Sequence, residues 1–179
     1  RVLFRSKEGM GLDGIPVPIS TPGWDNAPYT TLSQYITKDP DTGIQNMGNY
    51  RGQVKARRRL GMNPSLELRP GIYKHWLKYK ERGEKMPAAV VLGAPPCITF
   101  TSTQKIPERL DELEVAGALR NEPIETVKCE TIDLEVPATA EIVIEGEIAP
   151  NYLEHEGPFG EYQGYMGAET MSPVVNVTA

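Results

Sequence analysis

From Ile124 onward the hydrophobic pattern has a period of two, and no other feature constrains the fold as much. Val127-Lys-Cys-Glu-Thr-Ile-Asp-Leu-Glu-Val136 alternates, Pro137-Ala-Thr breaks the run, and Glu141-Ile-Val-Ile-Glu-Gly-Glu-Ile148 alternates again. Successive side chains of a strand point to opposite faces, so alternation buries one face and wets the other. That is how antiparallel sheet behaves. Tyr35-Ile-Thr-Lys-Asp39 adds a strand, and Asp39-Pro-Asp-Thr-Gly43 is a turn with proline fixing φ and glycine closing it. Ile44 to Val54 reads as the return strand. Arg57 to Leu68 is ambiguous and continues the sheet after a bend near Gly61.

Two segments break the β pattern. Ile72 to Arg82 repeats apolar residues at helical spacing (Ile72, Trp76, Tyr79), opened by Pro70-Gly71 and ended by Gly83. A second helix is expected from Pro107, with Leu110, Leu113, Ala116 and Leu119 as its core face. Glu112 falls off that stripe and is expected to face elsewhere than the packed core. Between the helices, Ala88-Ala-Val-Val-Leu92 is wholly apolar, the signature of a strand buried on both faces. Pro95-Pro96 ends it, and Thr101-Ser-Thr103 is expected in the following loop. The sum is an α+β fold with a β-rich, barrel-like core.

Charges of both signs are interspersed: 19 Lys and Arg against 24 Asp and Glu. The only basic run, Lys55-Ala-Arg-Arg-Arg59, is too short for a phosphate track, so a nucleic-acid partner is not expected. No apolar stretch is long enough to span a bilayer. Cys97 and Cys129 have no metal or disulfide spacing, which favours a reducing, cytoplasmic setting. Cys129 reads as a small buried hydrophobe, and His75 as a surface or packing histidine. Residues 1–31 are rich in Gly, Pro and Thr and read as an irregular lead-in to a domain over 32–179. The chain opens on Arg1, and Ser172 to Ala179 looks like a strand just starting, so a piece of a longer protein is expected.

The chemistry concentrates in Glu156-Gly-Pro-Phe-Gly-Glu161-Tyr-Gln-Gly-Tyr165, with two carboxylates five residues apart across a Gly-Pro-Phe-Gly turn. From this stretch alone, a strand-to-strand turn with solvated acids is an equal reading, and His155 beside it reads as a polar loop residue. Taken singly, Arg51 would be an exposed strand arginine and Glu112 a solvated helix residue.

The order of four stretches resembles the UbiD family, the decarboxylases that use prenylated flavin mononucleotide. They are Ile36-Thr-Lys-Asp39 through Asn46-Met-Gly-Asn-Tyr-Arg51; Pro87-Ala-Ala-Val-Val-Leu-Gly-Ala-Pro-Pro96; Glu112-Leu-Glu-Val-Ala-Gly-Ala-Leu119 through Val127-Lys-Cys-Glu-Thr131; and Val136-Pro-Ala-Thr through Glu156-Gly-Pro-Phe-Gly-Glu161. The resemblance implies a split β-barrel flavin-binding domain with flanking helices. It implies Arg51, Glu156 and Glu161 as catalytic residues, with Glu161 the proton donor. It implies Asn46 and Glu112 as ligands of a divalent metal, manganese, with potassium as an optional companion. Asn49, Tyr50 and Arg51 match the stretch along the flavin, and Ser102 and Thr103 the small or hydroxyl residues near it. One departure stands out: Leu68-Arg-Pro-Gly-Ile72 has no histidine where many members have a third metal ligand.

The residues suit that chemistry. Loss of carbon dioxide leaves a carbanion-like centre that needs an electron sink, which no side chain here supplies, so a cofactor must. Arginine is permanently charged and forked, fit to orient carboxylates. The implied reaction is a reversible, non-oxidative decarboxylation of an aromatic or α,β-unsaturated acid. The implied partners are that acid, a flavin prenyltransferase as cofactor supplier, and further copies in a homo-oligomer of the full-length protein. A flavin-binding barrel without decarboxylase activity, or an inactive fragment, are the alternatives.

Overall fold

The structure is a computed structural model that describes residues 11–64 and 68–179. Residues 1–10 of the expected lead-in and 65–67 of the ambiguous Arg57–Leu68 stretch lie outside the described residues. The main sheet is built from β1 (Tyr29–Thr30), β2 (Ser33–Lys38), β3 (Gln45–Asn49), β4 (Gly52–Ala56), β5 (Arg59–Met62), β6 (Met86–Leu92), β9 (Ile142–Glu156) and β12 (Thr170–Val177). Helices α1 (Gly71–Arg82), α2 (Pro96–Ser102) and α3 (Glu112–Arg120) flank it. Two short two-stranded pairs complete the β structure: β7 (Thr126–Lys128) with β8 (Glu135–Pro137), and β10 (Phe159–Gly160) with β11 (Met166–Gly167).

The strand order explains the shape. The eight strands run β1-β4-β5-β12-β9-β6-β2-β3, and every pairing is antiparallel. β3 is one edge of this sheet, and β4 lies one strand in from the other edge. Yet only Tyr50 and Arg51 separate them in the chain. Two linking residues make three Cα–Cα steps and span at most about 11 Å, far less than the width of a flat sheet of this size. The sheet must therefore curl until its ends meet, giving the split half-barrel. The seam is fastened by Tyr50 N–H donating to Ser33 O at 3.2 Å and Ser33 Oγ–H donating to Tyr50 O at 2.8 Å. Gly52 is obligatory here, because a Cβ would press on Tyr35 Oη, Thr30 Oγ1 and Leu60 Cδ1.

The sheet is packed on both faces. Tyr35, Leu60, Met62, Ala88, Val90, Ile144, Ile148 and Val175 bury one face against Ile72 and Trp76 of α1. Ile36, Met47, Ala89 and Val91 bury the other against Ile98 of α2, Leu113 and Ala116 of α3, and the β7–β8 hairpin. β6 supplies alternate residues to both clusters, which is why Ala88 to Leu92 is continuously apolar.

Several expectations need correction. Val127–Val136 is not one strand: Cys129 to Leu134 form a turn between β7 and β8, so the alternation runs straight through a hairpin. Thr101 and Ser102 lie in α2 and not in a loop, because Pro95 precedes and Pro96 begins a short helix. α3 starts five residues after Pro107, capped by the Asp111 side chain accepting from Leu113 N–H at 2.8 Å. Leu110 and Leu119 are therefore exposed, and the core face narrows to Leu113 and Ala116. The terminal strand runs through Thr170–Val177, paired with β9 on one side and β5 on the other.

His75 is a packing histidine. It is buried on α1, with Nδ1 2.9 Å from Thr37 Oγ1 on β2. Burial pushes its pKa down to about 4, so it folds as neutral imidazole. The unfolded chain then binds the extra proton between about pH 6.5 and 4, and stability falls as pH falls through that window. His75→Gln, which keeps a hydrogen-bonding group on Thr37, is expected to flatten the wild-type slope of urea-unfolding free energy there. An unchanged slope would show that His75 is charged in the folded state.

Candidate functional site

The carboxyl end of β9 and the seam between β3 and β4 converge on one ion network. Arg51 Nε and Nη2 donate to the two oxygens of Glu156, both at 2.8 Å, a bidentate fork. Arg51 Nη1 donates to Glu161 Oε1 at 2.5 Å. The expected catalytic trio therefore comes together, though its acids are five residues apart and Arg51 is more than a hundred residues away.

The three groups differ in exposure. The Glu156 side chain is 0% exposed and the Arg51 side chain 12%, while Glu161 is 40% exposed. Glu156 thus serves as the buried anchor, and Glu161 is the carboxylate open to a ligand. Burial alone would lower the pKa of Arg51, but the bonds to Glu156 and the charge of Glu161 outweigh it and hold it raised. The guanidinium carbon lies over the Phe159 ring, 4.9 Å from its centre. Tyr29 packs on Phe159 with ring centres 4.6 Å apart. Its hydroxyl is pushed up to about 12 by burial and then by Glu156, so it stays protonated.

The turn between the acids is built for this geometry. β9 delivers Glu156 opposite Thr170 of β12, and Gly157 takes a φ of +98° that disfavours any other residue. The Gly157–Pro158 peptide is cis. Glu161 N–H donates to Tyr165 O at 2.8 Å, and Gly164 N–H to Glu161 O at 3.0 Å, closing the loop beyond the acid. A cavity of about 280 Å³ opens beside Glu161, lined by Thr21, Trp24, Gly160, Gly164, Tyr165 and Met166.

The second expected pair also meets. Glu112 lies off the apolar face of α3, but it is buried and not the solvated helix residue it reads as when taken singly. It accepts from Asn46 Nδ2 at 2.6 Å and from the Met47 backbone N–H at 2.7 Å. Since β3 is the edge of the main sheet, the first residue of α3 caps its free edge. Burial pushes the Glu112 carboxyl up to about 7, against the hydrogen bonds it accepts. Asn46 Oδ1 is buried without a protein partner and sits beside this carboxylate. Two hard oxygen donors, one of them unspent, fit a magnesium- or manganese-type ion, though they are too few to complete its shell. Among the described residues, no group of three or more His, Cys, Asp or Glu is placed to hold a metal.

The remaining expected cofactor residues are more scattered in role. Asn49 ends β3 with a buried, unpartnered Oδ1. Tyr50 packs edge-on against Tyr35 at 5.8 Å. The Ser102 hydroxyl donates to Thr99 O, and that of Thr103 donates to Phe100 O and accepts from Gln104 Nε2 at 3.0 Å. Sequence reasoning missed Asp25, Asn26 and Gln53. Asp25 Oδ1 accepts from Gly160 N–H at 2.9 Å, Asn26 Nδ2 donates to Gly157 O at 2.6 Å, and Gln53 Nε2 donates to Asn26 Oδ1 at 2.5 Å. An Asp-Asn pair after Thr-Pro-Gly signals a turn, but nothing in that signal says what the turn holds.

A curled antiparallel half-barrel carrying an arginine shared by two glutamates at its seam is the arrangement expected of a split-barrel flavin decarboxylase domain. Residues 2–179 match the UbiD family, described as the 3-octaprenyl-4-hydroxybenzoate carboxy-lyase Rift-related domain, and the chain belongs to that family. An uncharacterized protein of Aquifex aeolicus is 37% identical over 171 residues, covering 95% of this chain and 35% of that protein. One from Synechocystis is 38% identical over 168 residues, covering 94% and 33%. The chain thus spans about a third of the length of these curated relatives. Among solved structures, an evolved dimeric form of the UbiD-class enzyme HmfF from Pelotomaculum thermopropionicum in complex with prFMN has a TM-score of 0.89 and 41% identity, over 96% of this chain and 39% of that one. Vanillic acid decarboxylase from Sedimentibacter hydroxybenzoicus in its closed form has a TM-score of 0.86 and 31% identity, over 94% and 36%. No helix among the described residues is long and apolar enough to cross a membrane.

Removing one member of a buried charge pair leaves the other uncompensated, at a typical cost of about 3–5 kcal/mol. Arg51→Ala is therefore expected to destabilise the fold by that amount in urea denaturation. The Arg51→Ala, Glu156→Gln double variant is expected to recover part of it, because neutral Gln removes the stranded charge. A loss below about 1 kcal/mol, the range of surface pairs, would show that Glu156 is solvated.

Proposed function

We propose that this chain is the flavin-binding domain of a prenylated-FMN-dependent carboxy-lyase acting reversibly and without net oxidation on an aromatic or α,β-unsaturated carboxylic acid. The observation that carries the reading is the single guanidinium engaged by a buried and an open glutamate. Family membership supports it, as does the likeness to HmfF, a structure described in complex with prFMN. When bound, the flavin would supply the electron sink that side chains lack.

The chain's own residues supply the rest. Arg51 orients the substrate carboxylate and keeps the acids in register, and Glu156 fixes Arg51 from its buried side. Glu161, the exposed acid, delivers a proton to the carbon that has lost carbon dioxide. Phe159 and Tyr29 keep water from the back of the guanidinium. Asn46 and Glu112 would hold a manganese ion whose remaining ligands come from phosphate and water, with potassium as an accessory ion. Asn49, Tyr50, Ser102 and Thr103 would line the flavin. The full-length protein would be a cytoplasmic homo-oligomer receiving its cofactor from a flavin prenyltransferase; the flavin domain would begin before residue 32, the expected boundary, because β1 and the Thr21–Asn26 turn are built into the sheet and the site.

Reconstitution with prenylated FMN and manganese, followed by desalting and absorbance spectroscopy, tests the reading. Flavin absorbance is expected to stay with the wild-type protein and to be lost in Asn46→Ala, Glu112→Ala. The loaded full-length protein is expected to release carbon dioxide from at least one member of an aromatic and cinnamic-type acid panel. Retained flavin with redox chemistry but no carbon dioxide from any acid would favour a flavin barrel that is not a decarboxylase.

A further inference from the structure

The turn at Thr21–Asn26 lies more than a hundred residues from the glutamate loop, yet the two are latched together. The turn is closed on itself: Asp25 N–H donates to Thr21 O at 3.0 Å, and Thr21 N–H donates to Asp25 Oδ2 at 2.7 Å. Asp25 Oδ1 is thereby aimed outward at Gly160 N–H, 2.9 Å away and one residue before Glu161. At the other end of the same loop, Asn26 Nδ2 grips Gly157 O, one residue after Glu156, and Gln53 from β4 holds Asn26 in place. A Cβ on Gly160 would collide with Thr21, so the approach admits no larger residue. Trp24 is 68% exposed and, with Tyr165 and Met166, walls the cavity into which Glu161 opens.

These contacts divide the labour around Glu161. Its backbone is tied on the near side by Asp25 through Gly160, and on the far side by its own bonds to Tyr165 and Gly164. Its side chain touches Arg51 but remains 40% exposed to the cavity. A fixed backbone with an open carboxyl is what a proton donor needs, because transfer requires the carboxyl to stand within hydrogen-bond reach of a defined atom. Resting on the carboxy-lyase reading above, we propose that Asp25 is a positioning residue for Glu161. By holding the Gly160 amide, it sets where the Glu161 carboxyl stands between Arg51 and the Trp24–Tyr165 wall.

Two measurements on the full-length protein test this. Without flavin, amide hydrogen exchange over residues 157–161 is expected to be at least about tenfold faster in Asp25→Ala, and intermediate in Asp25→Asn, which keeps an oxygen for Gly160 but turns a donor toward Thr21 N–H. With flavin and an accepted acid, Asp25→Ala is expected to lower kcat on the order of 10- to 100-fold with KM little changed, and Asp25→Asn to restore part of it. The solvent deuterium isotope effect on kcat is expected to rise in Asp25→Ala, because proton delivery becomes the slow step. Asn26→Ala, which frees Gly157 O, provides the same test should Asp25→Ala not fold. Unchanged exchange would overturn the latch. Faster exchange with wild-type kcat and isotope effect would show that the latch does not position the proton donor. A wild-type protein that decarboxylates nothing would instead overturn the carboxy-lyase reading, leaving the exchange result to decide the latch.

Discussion

The structure depends on closing a curled sheet with two residues. Because β3 and β4 are joined only by Tyr50 and Arg51, the sheet's two ends meet at that link. Arg51 is therefore fixed by the topology of the whole domain and not by local conformation. The long strand β9 runs through the sheet and ends at Glu156, which meets the Nε–Nη2 side of the guanidinium with both oxygens. A fully buried carboxylate is costly unless paired, and a forked bidentate partner is the geometry that compensates it best. The closure of the fold and the assembly of the site are thus one event.

The same logic places the second pair. An edge strand presents unpaired backbone donors that need a partner. At Met47 that partner is the Glu112 carboxylate, delivered by the start of α3. With Asn46 bonded to the same carboxylate through nitrogen, its Oδ1 is left turned to no protein group. An oxygen left so in a buried place is chemically unfinished, which is why the proposed cation is assigned here.

How much of this could be read in the sequence depended on whether a residue's role was local. β6 was legible because burial on both faces leaves an unbroken apolar run. α1 was legible because Ile72 and Trp76 repeat at helical spacing and Gly83 takes a left-handed φ of +69° at its end. Val127–Val136 misled because the turn residues between β7 and β8 continue the alternation by chance. Glu112 misled because a helical stripe treats the helix in isolation, whereas this residue is defined by a sheet edge more than sixty residues earlier. Arg51, Glu156 and Glu161 were legible only as a motif resemblance; their chemistry is not visible in any spacing. Asp25 and Asn26 were invisible, because their meaning lies in two hydrogen bonds to a loop far along the chain.

The exposed member of the network, Glu161, is the group proposed to carry a proton to and from carbon. Proton exchange at the product isolates that step, since it needs no carbon dioxide. The decarboxylated product of an accepted acid would be incubated in deuterated water with flavin-loaded full-length protein, and its spectrum followed by NMR. Loss of signal from the proton that takes the place of the carboxyl group is predicted for the wild type, with no exchange at other carbons. In Glu161→Gln that exchange should fall by about two orders of magnitude or more, the usual worth of a positioned acid–base group. Exchange undiminished in Glu161→Gln would contradict the account and assign the proton to another group.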